Sequence, residues 1–362
     1  MASAATISPS EAEPPKVHAS DIPSIKAFAE SSVASLIPST FHSIIDPHDD
    51  VAKELEAFIP VIDLSLLTSH DPEIHAKAVH QLGKACEEWS FFILINHGIP
   101  EKMMEEVMNK SIEFHDLPVE EKEEFRDKGP LAAIRHGTSF WPQSEKVHFW
   151  RDYLKVFTHP EFNFPHKPPG YREIVFDYGQ KIRAVAWKLL EGISESLGLE
   201  SNSLIESTGF ESGIQICAVN MYPACPQPHL SLGMPSHSDI GLMNFLMENG
   251  IGGLQIKHDG KWVNVNPPPN SLAVILGDQL EIVTNGKYPS VIHRAILNNT
   301  NNRVSVVLAN GPALEKEIGP PRKLLEKEKP LFKSITFKDY FQFQQKSRLS
   351  DKYALDVIGL NT

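Results

Sequence analysis

The sequence predicts a mainly β domain with flanking helices, its strands folded into a sandwich or jelly roll, on three observations. From Gly213 onward, short apolar runs over 214–222, 243–247, 254–257, 261–265, 272–276, 291–298 and 303–309 are separated by Gly, Pro and Asn turns, the signature of many short strands. Upstream, apolar residues recur at helical spacing over 72–89, 101–115 and 172–198. Hydrophobic residues make up 41% of 362, enough for a sizeable core in a single domain.

The elements follow in order. Residues 1–20 are small, polar and proline-rich, a composition that predicts a flexible tail; Glu11, Glu13 and the lack of Arg oppose a transit peptide. Ile22, Ile25, Phe28, Ala29, Val33 and Leu36 predict a short amphipathic helix. Phe58–Leu64, broken by Pro60, reads as an edge strand that begins after the proline. A helix over 72–89 precedes the buried strand Phe91–Ile95, and a second helix over 101–115 carries a Met stripe that serves as core filler. His97 beside Gly98 reads as a turn residue with a structural hydrogen bond. Residues 127–169 are punctuated by Gly and Pro and rich in aromatics, which predicts an irregular loop region forming one wall of an apolar pocket, with Trp150 and Tyr153 sealing the core. The helix over 172–198 ends on Gly198 as a C-cap. Phe337, Tyr340, Phe341 and Phe343 predict a helix across the barrel. The organisation expected is a tail (1–20), a helical region with edge strands and a substrate-side loop (21–210), a β core (211–315) and a helical C-terminal segment (316–362).

The chemistry centres on His237-x-Asp239, two ligand-type side chains that leave one face of an extended strand, and on His293 in an apolar run able to pair with it. An H-x-D pair alone is common in a chain with 16 His. Two imidazoles and one carboxylate nevertheless make the facial set that suits non-haem Fe(II), leaving other positions open. Arg303-x-Ser305 follows, a guanidinium beside a hydroxyl that can clamp a carboxylate, and Asn220-x-Tyr222 adds an amide and a phenol on one face.

This ordered set, with Ile59-Pro60-Val61-Ile62-Asp63 and Trp89–Gly98 upstream, resembles the plant 2-oxoglutarate and Fe(II)-dependent dioxygenases of specialised metabolism and hormones, from Ile59 to the C-terminus. The resemblance implies a double-stranded β-helix with the metal at its open mouth. It implies iron on His237, Asp239 and His293, and 2-oxoglutarate on Arg303 and Ser305, with Tyr222 and Asn220 beside them. O2 would be the oxidant and ascorbate the reductant. The products would be succinate, CO2 and a hydroxylated, desaturated or demethylated small molecule. It also places His136, Phe140, Ala309 and Phe341 at the substrate. Three positions depart from the pattern: Ser238 where Thr is common, Asn244 where Thr or an apolar residue is usual, and Ala309 where many relatives carry Phe. The last points to a bulky substrate.

Two other classes share these features: an ascorbate-dependent oxidase of the aminocyclopropane-carboxylate type, which would form no succinate, and a non-catalytic binding protein on the same fold. A net charge of -12 argues against nucleic-acid binding, which needs clustered Lys and Arg, and no run approaches the roughly 18 apolar residues of a membrane span. Three cysteines are too few for a disulfide framework, so a reducing compartment, the cytoplasm, is expected; a monomer is expected as well.

Overall fold

A computed structural model describes residues 22–31, 36–43, 51–129, 131–139, 147–326, 328–346 and 351–360. The tail expected over 1–20 lies outside these residues, as do Val33 and the candidate substrate residue Phe140.

The strands are β1 (Val61–Asp63), β2 (Phe91–Ile95), β3 (Ile134–Thr138), β4 (Asp152–His159), β5 (Gln215–Tyr222), β6 (Met234–His237), β7 (Met243–Glu248), β8 (Leu254–His258), β9 (Lys261–Val265), β10 (Leu272–Leu276), β11 (His293–Ala295), β12 (Arg303–Asn310), β13 (Glu317–Ile318) and β14 (Ile335–Thr336). The helices are α1 (Ile25–Ala29), α2 (Leu64–Leu67), α3 (Pro72–Glu88), α4 (Glu101–Asp116), α5 (Val119–Lys122), α6 (Tyr171–Ser196), α7 (Ser203–Thr208), α8 (Asp278–Val283), α9 (Phe337–Lys346) and α10 (Tyr353–Ile358).

An eight-stranded sheet in the order β1-β2-β10-β7-β12-β5-β4-β3 faces a four-stranded sheet in the order β6-β11-β8-β9, the two layers of a jelly roll. The central strands read as unbroken apolar runs because both of their faces are covered. In β10, Leu272, Val274 and Leu276 join the core under the helices, while Ala273 and Ile275 pack with Phe91, Ile93, Ile256 and Val263 between the sheets. The outer core rests on α3, α4 and α6. Helix α3 opens on Asp71, whose carboxylate accepts from the Glu73 and Ile74 amides with Pro72 behind it, a favourable start. Helix α6 ends with Gly198 at φ 71° and the Leu199 amide returning to Ser194 O, the C-terminal turn expected there.

The structure differs from the sequence reading in four places. Residues 127–169 are not wholly irregular: β3 and β4 lie there and extend the large sheet beyond β5. Their polar residues sit on a face that looks into a cavity, so the pattern lacks the apolar run that marks the other strands. The run 291–298 contributes only the three residues of β11, and the first helix only the five of α1. Strand β6 ends at His237, so Asp239 stands in the following loop and not on the strand. Trp150 is fully buried against Phe28 and Phe41, Tyr153 is buried with its hydroxyl donating to Asp127, and β1 forms an edge of the sheet beside β2. His97 has its ring nitrogens near Asn270 O and the Ile99 amide, the structural role expected of it.

Candidate active site

Strands β6 and β11 pair so that His237 stands directly opposite His293, their ring centroids 4.2 Å apart. The loop after β6 turns Asp239 toward them. Its Oδ1 is 3.7 Å from His237 Nε2 and its Oδ2 is 3.5 Å from His293 Nε2. One ligand atom from each of the three lies within 4.8 Å of the others, the one such cluster among the described residues.

The tautomers suit a metal. His237 Nδ1 is 2.9 Å from Pro235 O and His293 Nδ1 is 3.3 Å from Val291 O. A carbonyl can only accept, so each Nδ1 carries the proton and each Nε2 lone pair faces Asp239. Burial first, then the neighbouring His293, pushes His237 down to about 3, so this imidazole stays neutral and ligand-ready. The donor set fits Fe(II).

The loop bearing Asp239 is held by the start of α8. The Asp278 amide donates to Asp239 O at 2.7 Å, Gln279 N to Gly241 O at 3.0 Å and Gly277 N to Leu242 O at 3.0 Å. A Cβ on Gly277 would come 2.3 Å from Gly241 O and 2.8 Å from Asp239 O, so only glycine permits this approach. On β7, the amide of Asn244 donates to Asp239 Oδ2, which explains the departure seen in the sequence: it fixes the carboxylate.

Arg303 and Ser305 project from β12 into the cavity, with Tyr222 and Asn220 opposite them on β5. Asn220 Nδ2 lies 3.5 Å from Ser305 Oγ, and the Arg303 guanidinium sits 5.1 Å from the Tyr222 ring centre. Arg303 is buried and paired with Glu248, Nη2 to Oε2 at 2.6 Å and Nε at 2.9 Å. The sequence reading missed Glu248; its signal is the alternation Asn244, Leu246, Glu248, which puts it on the inner face of β7.

The cavity between the sheets measures about 170 Å³ and is bordered by the three ligands, the Arg303 group, Ala309 and, from α9, Phe337 and Phe341. His136 does not border it. Successive strand residues point to opposite faces, so His136 turns to Phe114 and His115 on the helical side, its Nδ1 2.9 Å from Tyr153 O, while its neighbour Arg135 lines the cavity. Lys155 from β4 and Arg151 just before it line it too; Arg135 and Lys155 were not singled out from the sequence as cavity residues, although the inward alternation on β3 and β4 would have marked them.

A jelly roll with two imidazoles and a carboxylate beside a cavity between its sheets defines a non-haem iron oxygenase. A family model for the 2OG-Fe(II) oxygenase superfamily matches residues 213–312, and one for the non-haem dioxygenase in morphine synthesis N-terminal matches residues 59–174. The chain is 43% identical over 302 residues to 2-oxoglutarate-dependent dioxygenase 19 of Oryza sativa subsp. japonica, covering 83% of this chain and 90% of that one. It is 38% identical over 308 residues to flavanone 3-dioxygenase 2 of the same organism, covering 83% and 88%. Its structure matches that of JOX2 in complex with 2OG, Fe and JA with a TM-score of 0.83 at 29% identity, over 93% of this chain and 97% of that chain. The chain belongs to the 2-oxoglutarate and Fe(II)-dependent oxygenase family. It is an oxidoreductase that uses Fe(II) and 2-oxoglutarate and acts on a small molecule, and no helix among the described residues is long and apolar enough to cross a membrane.

Proposed function

We propose that His237, Asp239 and His293 hold the iron, that Arg303 and Ser305 take the distal carboxylate of 2-oxoglutarate, and that the enzyme oxidises a bulky specialised metabolite of plants. The observation that carries this reading is the convergence of the three ligand atoms in one cluster, at the end of a cavity whose other wall presents Arg303 and Ser305. When bound, the iron, the 2-oxo acid and O2 would supply the oxidising chemistry, with succinate and CO2 as co-products.

The protein's own residues supply geometry. Asn244 restrains one oxygen of Asp239, and the two backbone carbonyls at Pro235 and Val291 fix the imidazoles. The guanidinium of Arg303 is buried in a low-dielectric wall and oriented by Glu248, so the cosubstrate carboxylate meets a preorganised cation. Phe337 and Phe341 screen the cavity from water with apolar rings. The small side chain at Ala309 leaves room for a large substrate. Three buried, unpaired thiols at Cys86, Cys217 and Cys225 suit a reducing compartment, and the reading places the enzyme in the cytoplasm as a monomer with ascorbate as reductant.

The test is Asp239→Ala and His293→Ala, each analysed for iron content, circular dichroism and substrate-dependent succinate. Both variants are expected to keep the fold and lose iron-dependent turnover; full activity in either one removes the ligand assignment.

A further inference from the structure

The three candidate ligands stand on separate stretches of chain, and one buried carboxylate outside the ligand cluster braces all of those stretches. Glu281 lies on α8 and is 9% exposed. Its Oε2 accepts from the Ser290 amide at 2.6 Å and from the Ser290 hydroxyl at 3.0 Å, three residues before His293. The same oxygen accepts from Lys352 Nζ at 2.7 Å. Lys352 follows Asp351, whose carbonyl accepts from the Ser238 amide at 3.1 Å and from the Ser238 hydroxyl at 3.3 Å. Ser238 is the residue between His237 and Asp239, and the backbone of Asp351 pairs in parallel with that of His237. One turn back on α8, the Asp278 amide holds Asp239 O. An anion this buried relies on strong donors and becomes costly when its cation is removed.

We propose that Glu281 and Lys352 are a positioning pair for the iron site. The carboxylate sets the approach of the chain to His293, and the cation fastens Asp351 against the turn that carries His237 and Asp239. The inference rests on the assignment of iron to these three ligands. Glu281 is not a member of the ligand cluster, so it acts through Ser290 and Asp351. Displacing such supports by a few tenths of an ångström changes the mutual angles of the ligands, which a metal site needs held closely. The same helix also receives Tyr340 of α9, which donates to Asp278 at 2.7 Å, so the helix that brings Phe337 and Phe341 to the cavity rests on α8 as well. Coupling between two events is reciprocal. Bound iron therefore stabilises the docking of Asp351 and Lys352 in return.

The experiment uses the full chain, stripped of metal and titrated with Fe(II) by calorimetry under anaerobic conditions, with circular dichroism and a melting curve on each sample. Glu281→Gln and Lys352→Met are expected to weaken Fe(II) binding by roughly 10–100-fold, the range for partners that orient a ligand. Lys352→Arg keeps the charge and should stay close to wild type. The double variant Glu281→Gln/Lys352→Met should lose no more than the worse single variant, because the two side chains act as one unit. Hydrogen exchange gives a second reading: Fe(II) should slow exchange over 234–241 and 353–358 in wild type, and the effect should vanish in Lys352→Met. Unchanged Fe(II) affinity in either folded single variant overturns the proposal even where the melting temperature falls, because the pair is then structural support only. Binding as weak in Lys352→Arg as in Lys352→Met, additive losses in the double variant, or exchange over 353–358 that ignores iron overturns it too. Should Glu281→Gln fail to fold, the Lys352 variants decide. Asp239→Ala is titrated alongside. Fe(II) binding that survives there sinks the ligand assignment itself, whereas loss there beside intact binding in the pair variants overturns the positioning pair alone.

Discussion

Asn244 and Arg303 show how much of the chemistry is decided by single side chains. Asn244 holds Asp239 Oδ2 and thereby limits which carboxylate oxygen is free to meet a metal. Partners that orient a ligand in this way typically contribute about 10–100-fold in metal affinity or activity. Asn244→Leu should therefore weaken iron binding by about that factor while retaining the fold, as an iron titration followed by a melting curve will show; unchanged iron affinity would mean that the loop alone positions Asp239. The sequence marks Asn244 as unusual but cannot give its partner, because the contact is made by a loop that leaves β6 at His237. Arg303 carries two demands at once, Glu248 on one edge and the cosubstrate carboxylate in the proposed reading. A lysine ammonium has no planar fork to serve both, so Arg303→Lys should raise the apparent KM for 2-oxoglutarate strongly and leave substrate affinity at saturating cosubstrate little changed. An unaltered KM for 2-oxoglutarate sinks the clamp assignment.

Between elements, position is set by backbone contacts that no motif reveals. Helix α8 receives the Asp239 loop on its first amides, and the carbonyls of Asp239 and Gly241 pass so close to Gly277 that a methyl group has no space. Because the colliding atoms are backbone, Gly277→Ala should both lower the melting temperature and reduce iron content. Normal iron content in a folded Gly277→Ala protein would show that the loop can shift without penalty. Helices α3 and α6 are joined by His75, whose Nε2 lies 2.6 Å from Glu195 Oε2 while its Nδ1 meets Leu67 O. The Glu195 hydrogen bond raises His75 above its ordinary 6.5. Glu195 is lowered below its ordinary 4.5, where the Ser201 and His75 hydrogen bonds outweigh its burial. A raised histidine contributes most below 6.5 and loses its contribution as pH rises through the folded value; a lowered carboxylate contributes above 4.5. The stability difference between wild type and His75→Gln, a partly exposed pair at about 0.2–1 kcal/mol, should thus be largest from about pH 5 to 6.5 and shrink at alkaline pH. Urea titrations across that range read it directly, and a difference that grows with pH contradicts the sign. At this scale the sequence is most legible where burial is two-sided. Strands such as β2 and β10 are unbroken apolar runs, and α3, α4 and α6 show helical period. It is least legible around β3 and β4, where Arg135, Lys155 and, just before β4, Arg151 occupy inward positions that ordinary patterning assigns to apolar side chains.

The whole molecule brings these parts to one cavity: the candidate iron ligands from the smaller sheet and its outgoing loop, the proposed cosubstrate residues from β12 and β5, cations from β3, β4 and the residue before β4, and aromatic rings from α9. The C-terminal segment is tied to the same place. The backbone of Asp351 accepts from the Ser238 amide beside the iron cluster, and Tyr340 of α9 donates to Asp278 at the start of α8 at 2.7 Å. Within this enclosure Ala309 is the position at which substrate size is argued. It lies opposite Asn244 on β7 and Ile216 on β5, on the cavity side of β12 and next in that row beyond Val307, so a side chain added there grows toward the iron ligands. The α9 rings stand on the same cavity, and Phe341 meets Phe157 with ring centres 6.3 Å apart. Two outcomes are therefore distinct. If the space at Ala309 belongs to the substrate, Ala309→Phe overpacks it at about 1–3 kcal/mol, roughly ten- to hundredfold in kcat/KM for the metabolite that drives succinate formation. Slow succinate release without substrate should persist, because the clamp proposed for 2-oxoglutarate, Arg303 and Ser305, stands at the other end of β12. If Phe341 and its neighbours already fill that space, the added ring has nowhere to go but into the packing of α9, and the loss appears as a lower melting temperature together with a fall in both coupled and uncoupled turnover. A variant that handles the substrate as wild type does would end the argument from pocket size.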